Sequence, residues 1–146
     1  MELFFTPVHV FWATVAGFIM GAVWYSSFLF KNVWLQGEGV LQGQMPKRTK
    51  MYLFQVNVYS FIAHCALASV LAILYDILGV KSLSLAIIVG LLLTFGFIVT
   101  TRFIDMVYTP HGKHYEMQSQ IKFLVNSGYY LTVISVMSAV LFLLSH

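Results

Sequence analysis

Four stretches of this chain carry no charged residue, at 3–30, 52–75, 82–101 and 123–145. Each reaches or exceeds the roughly 20 residues that an α-helix needs to cross a hydrocarbon core of about 30 Å. That core offers no water to the backbone, and the sequence shows no alternating barrel pattern, so all four are expected to be helical. The predicted fold is all-α: a polytopic membrane protein built as a bundle of four transmembrane helices in one domain, 1–146. The spans fall near 7–30, 52–77, 82–104 and 121–144, with polar loops at 31–51 and 105–120.

Composition excludes the soluble alternatives. Hydrophobic residues make up 60% of the chain and charged ones 9%, against about 45–50% and about 25% in soluble domains. The net charge of +3 rests on few residues whose positions follow helix ends rather than one basic face, so no nucleic-acid partner is expected. Cys65 is the single cysteine and has no intrachain partner.

Local signals place the helix ends. Thr6-Pro7 reads as an N-cap followed by proline at the first helical position, and the long apolar run behind it is predicted to be an uncleaved span rather than a signal segment. At its far end Trp24, Tyr25, Phe28, Phe30, Lys31 and Trp34 form an aromatic belt, with 28–35 free to lie along the interface. The second and third spans are joined through Gly79, suited to a left-handed C-cap, and Ser82, suited to an N-cap. Lys31, Lys47, Arg48, Lys50, Arg102, Lys113 and Lys122 all fall on one side of the membrane, and only Lys81 on the other. The positive-inside rule then predicts cytoplasmic long loops and both termini outside, which is periplasmic in a bacterial inner membrane.

Within lipid, helices associate through small residues and interhelical hydrogen bonds. Ala13, Gly17 and Gly21 form a small-residue ridge suited to packing within the subunit or across an oligomer interface. Gln55, Asn57, Ser60 and His64 make the second span the most polar, and Asn57, Ser60 and His64 share a helical face. A mid-span histidine marks either a ligand or proton path or a hydrogen bond that holds helices together. Asn126 and Tyr130 lie one turn apart near the start of the last span, beside Ser127, Gly128 and Tyr129. Arg102 and Asp105 are spaced for an interfacial ion pair, worth about 0–1 kcal/mol when exposed. His111, His114 and Glu116 fall short of a structural metal site, which takes four ligands. No phosphate loop, HExxH or GxSxG motif occurs. The chain is therefore not expected to be an enzyme, and no metal or cofactor is expected.

The candidate ligand-binding set is Trp24, Asn57, His64, Asn126 and Tyr130. Two expectations compete: a protein that binds or passes a small molecule, lipid or ion at a polar site inside the bundle, or an accessory subunit that packs against a larger membrane complex or itself. The expected partners are the lipid bilayer and either further copies of the chain or another membrane protein.

Three motifs add a resemblance. Residues 24–34 (WYSSFLFKNVW), 96–100 (GFIVT) and 123–129 (FLVNSGY) resemble the small bacterial membrane proteins grouped as domain of unknown function 1761. The resemblance implies four membrane helices, with the WY motif ending the first and an N-(A/S)-G-Y motif in the last, and it implies no activity. This chain departs from the pattern in carrying Tyr130 where the family often has histidine, and in its longer, more charged third loop.

Overall fold

A computed structural model of the protein describes residues 6–40, 48–108 and 115–145, with the backbone alone at 115 and 116. The order is α1 (Pro7–Trp24), α2 (Lys31–Gly37), α3 (Lys50–Leu78), α4 (Leu83–Leu93), a π-helical segment (Thr94–Val99), α5 (Thr100–Tyr108) and α6 (Tyr115–Ser145). No strand occurs among the described residues. Pro7–Trp24, Lys50–Leu78, Leu83–Tyr108 and Met117–Ser145 are long and apolar enough to cross a membrane, so the chain is a multi-pass membrane protein.

The helix ends follow local chemistry. Proline opens α1 behind Thr6, whose backbone N–H donates to His9 Nδ1 at 3.3 Å. Gly79 caps α3 at φ +62°, the left-handed conformation that glycine adopts without steric cost. Ser82 Oγ accepts from the Leu85 backbone N–H at 3.2 Å, and Thr49 does the same for α3 through Tyr52.

Several expected boundaries move. The first span ends at Trp24 rather than near residue 30, because the chain leaves the helix at Tyr25 and folds back, with the Phe30 N–H donating to the Trp24 carbonyl at 3.1 Å. The interfacial piece expected at 28–35 is α2, starting at Lys31. The loop expected at 105–120 is shorter, since α5 runs to Tyr108 and α6 begins at Tyr115. Asp105 to Tyr108 contain no helix breaker, and Pro110 and Gly112 lie further on.

α6 is the centre of the assembly. α1 and α4 pack along it, α2 crosses its start, and α3 lies mainly against α1. The core is built from small residues and flexible ones: Ala13, Ala68, Ala86, Val133, Met137 and Leu141 are wholly buried. Close helix approach supplies dispersion contact where lipid supplies no hydrophobic drive. The Ala13/Gly17/Gly21 ridge is spent inside the subunit: a Cβ at Gly17 would collide with Met137 and lie 3.1 Å from His64, and one at Gly21 would lie 3.0 Å from the Tyr129 hydroxyl. It is not available as an oligomer interface.

The third span is continuous but not uniformly α-helical. Ala86, Gly90 and Thr94 are buried, and Ile98, Arg102 and Met106 half-buried. That four-residue spacing exceeds the 3.6 of an α-helix, and the π segment at Thr94–Val99 absorbs the difference.

Candidate functional site: a polar pocket above a buried histidine

His64 sits at the middle of α3 and is buried. Its Nδ1 lies 2.6 Å from the Ser60 carbonyl. A carbonyl only accepts, so Nδ1 carries the hydrogen, and Nε2 of the neutral ring accepts from the Tyr129 hydroxyl at 2.7 Å. Both nitrogens are therefore satisfied, which is what an imidazole at this depth requires. The Ser60 hydroxyl lies 3.5 Å from Nδ1, at the limit of a hydrogen bond.

One turn toward the loops, the Tyr25 hydroxyl donates to Asn126 Oδ1 at 2.9 Å. The Tyr25 ring meets the Tyr129 ring at 5.0 Å and the Trp34 ring at 5.7 Å. Trp24 stacks on Phe30 at 4.4 Å and lies over Gly128, where a Cβ would come within 3.2 Å of the indole. Its Nε1 is buried with no hydrogen-bond partner among the described residues. The WY and NSGY motifs thus meet face to face: Tyr25 on Asn126, Trp24 on Gly128, and Tyr129 against both aromatic rings.

Asn126 also lines a cavity of about 310 Å³ at the loop end of the bundle. Gly37 and Glu38 contribute from the end of α2, Arg102, Asp105 and Met106 from α5, and Lys122 and Phe123 from α6. A tight ion pair closes one side, with Lys122 Nζ 2.9 Å from Glu38. Backbone packing supports it, since a Cβ at Gly37 would lie 3.0 Å from the Lys122 nitrogen. The second pair is loose, with Arg102 3.8 Å from Asp105 and both side chains well exposed. The Arg102 guanidinium also lies 6.0 Å from the centre of the Tyr130 ring, within reach of a cation–π contact.

The candidate residues divide as follows. His64, Asn126 and Trp24 gather around Tyr129 and Tyr25, while Tyr130 packs beside Tyr129 at 5.0 Å and points its ring toward Arg102. Asn57 does not join them. It is exposed, and its amide donates to the Leu53 carbonyl of its own helix at 2.9 Å. α3 has moved off α6 at that level, so a shared helical face with His64 leads away from the bundle. The residues that sequence reasoning left out are Tyr129 and Tyr25, although both stood in the motifs.

The possible ligands His111, His114 and Glu116 lie outside the described side chains. No group of three or more metal-ligating side chains occurs among the described residues. At the other end of the bundle Tyr75, only 1% exposed, donates to the Ala86 carbonyl at 2.7 Å and lies 2.6 Å from Ser138 Oγ.

No curated protein and no solved structure matches this chain. A family model described as "Protein of unknown function (DUF1761)" matches residues 8–142, which take in both motifs, the buried histidine and the pocket, and the chain belongs to that family.

Proposed function

We propose that this protein binds a small polar or amphiphilic ligand in the pocket between α2, α5 and α6, with Asn126 as the contact between the pocket and the Tyr25–Tyr129–His64 group beneath it. The observation that carries this reading is the position of Asn126. It lines the cavity and, through Tyr25, connects to the aromatic cluster around the buried imidazole. Tyr25 and Tyr129 meet ring to ring, with their centres 5.0 Å apart, so the two bonded pairs form one packed group beneath the pocket. The same reading places the chain in a bacterial inner membrane with both termini outside, supported by the seven basic residues on the loop side.

The test is native mass spectrometry of the protein in lipid nanodiscs, comparing small molecules retained by the wild type with those retained by Asn126→Leu and His64→Ala. Retention should fall in Asn126→Leu and weaken in His64→Ala, with both variants still folded by circular dichroism. Equal retention in all three proteins overturns the reading.

The accessory-subunit reading draws on a different observation. Residues 50–59 of α3 are exposed throughout, Gln55 and Asn57 included, and amides at a membrane helix surface are a recurrent means of helix association. Cysteine cross-linking along that stretch would report a second copy or a partner helix against it.

A further inference from the structure

The Tyr129–His64 pair has a geometry suited to more than holding two helices together. The phenol donates to Nε2 of the neutral imidazole at 2.7 Å, and Nδ1–H is tied to the Ser60 carbonyl at 2.6 Å. The lone pair of the ring is therefore aimed at the phenolic proton. A phenol that loses an electron becomes a strong acid, so the electron leaves readily only where a base stands ready for the proton. Tyr25 lacks such a base at its hydroxyl, which donates to the amide oxygen of Asn126. Tyr129 faces an imidazole, whose basicity falls in the physiological range.

A run of oxidisable rings joins this pair to the loop side of the bundle. Trp34, half-buried on α2, meets the Tyr25 ring at 5.7 Å, Tyr25 meets Tyr129 at 5.0 Å, and Trp24 flanks Tyr129 at 6.4 Å. All three separations fall in the contact range of neighbouring aromatic rings, and rings in contact pass an electron without any atom having to move. The inner end is sheltered, with Tyr129 7% exposed and His64 5%. Once the imidazole has taken the proton, both of its N–H groups keep an acceptor, the Ser60 carbonyl on one side and the phenoxyl oxygen on the other. That moderates the cost of a charge at mid-span.

We propose that Tyr129 and His64 form a proton-coupled redox pair. A one-electron oxidant at the loop-side membrane surface, of the peroxyl-radical class, withdraws one electron from Tyr129 through the rings in contact with it. The phenolic proton passes from Tyr129 Oη to His64 Nε2. The O–H bond breaks and an N–H bond forms, leaving a phenoxyl radical and an imidazolium, while the reduced peroxyl takes a proton from water and becomes a hydroperoxide. A one-electron donor such as ascorbate restores the phenol, with the proton returning from His64. None of these steps depends on which ligand the pocket holds.

The experiment uses the full chain in lipid nanodiscs, with tris(bipyridine)ruthenium(III), generated in the water by a laser flash with persulfate, as the oxidant. Exposed tyrosines such as Tyr59 and Tyr108 also form radicals. A brief ascorbate treatment before freezing removes those reachable from water, and electron paramagnetic resonance reads what survives. The wild type should keep a phenoxyl signal that forms more slowly in heavy water and is coupled to a histidine nitrogen, identified by isotopic labelling. Tyr129→Phe should abolish that signal. His64→Gln keeps a hydrogen-bond acceptor without a base, and should slow its formation by about a hundredfold, the lower end of what a positioned base contributes to proton transfer. Melting temperatures establish that the variants are folded, and the nitrogen coupling is read on the wild type, so the test holds even where a variant fails to fold. The proposal is overturned by a wild type with no surviving phenoxyl, or by a phenoxyl without histidine coupling. It is equally overturned by a signal retained in folded Tyr129→Phe, or formed at the wild-type rate in folded His64→Gln.

Discussion

Tyr75 and Tyr129 are both buried phenols that join α3 to α6, and their surroundings make them opposites. The Tyr75 hydroxyl is held by the Ala86 carbonyl and Ser138 Oγ, and Ser138 in turn lies 2.6 Å from the Ile134 carbonyl. Backbone carbonyls meet the cluster at both sides. Tyr129 donates to an imidazole, and its ring touches Trp24, Tyr25 and Tyr130, the last two within 5.0 Å. It is the inner end of a group that reaches a cavity. The same residue type on the same pair of helices fastens the bundle at one level and supports a pocket at another. The partner's chemistry makes the difference: a carbonyl terminates a polar cluster, whereas an imidazole and stacked aromatic rings extend it.

Four substitutions sharpen or break this contrast. The largest effect belongs to Gly90 in the Tyr75 cluster. A Cβ there would lie 2.5 Å from Ser138 Oγ and 3.1 Å from both Ile134 and the Tyr75 hydroxyl. Gly90→Val should destabilise the bundle by about 3 kcal/mol, as overpacked cores do, read by unfolding in mixed detergent micelles; an unchanged midpoint would show that the fastening is softer than drawn. Next, Tyr75→Phe and Tyr129→Phe should each cost about 0.5–1.5 kcal/mol, the worth of one hydrogen bond. Only Tyr129→Phe should also lower ligand retention in nanodiscs, and a matching loss in Tyr75→Phe would erase the distinction. The smallest effect is expected from Glu38→Gln, about 0–1 kcal/mol for a partly exposed pair. Hydrogen exchange at 31–37 should report it as faster opening of α2, with α6 unaffected.

Much of the architecture was legible because charge is scarce. Thr6-Pro7, Gly79 and Ser82 mark real helix ends, and the Arg102–Asp105 spacing gives a real pair, although a loose one. His64 stood out in the sequence as a mid-span histidine, and in the structure it is buried. Which tyrosine would meet it was not legible. Tyr129 and Tyr130 are neighbours about 100° apart on a helix, and α6 is contacted on several sides, so apolar periodicity does not single out one inner face. The same blindness affected Asn57. Lipid is as apolar as leucine, so a lipid-facing side and a helix-facing side look alike in sequence. Tyr25 was obscured for another reason: the helix stops at Trp24, and the turn that follows, not a helical face, aims Tyr25 at Asn126.

The π segment at Thr94–Val99 acts as a phase correction. An uninterrupted α-helix starting from the buried Gly90 would drift off α6 over the next turns, at about 100° per residue. The wide turn resets the angle, so that Arg102 and Met106, three and four turns beyond Gly90, still face the pocket. Removing one residue there, for example Gly96, around which a Cβ would meet nothing within 4 Å, leaves local packing nearly untouched. The segment would then close as α-helix and keep Arg102 on nearly the same face, since eleven steps of about 100° end only about 20° past three full turns. The segment thereby acts as an angular offset, letting one span serve a packing surface at one end and a recognition surface at the other.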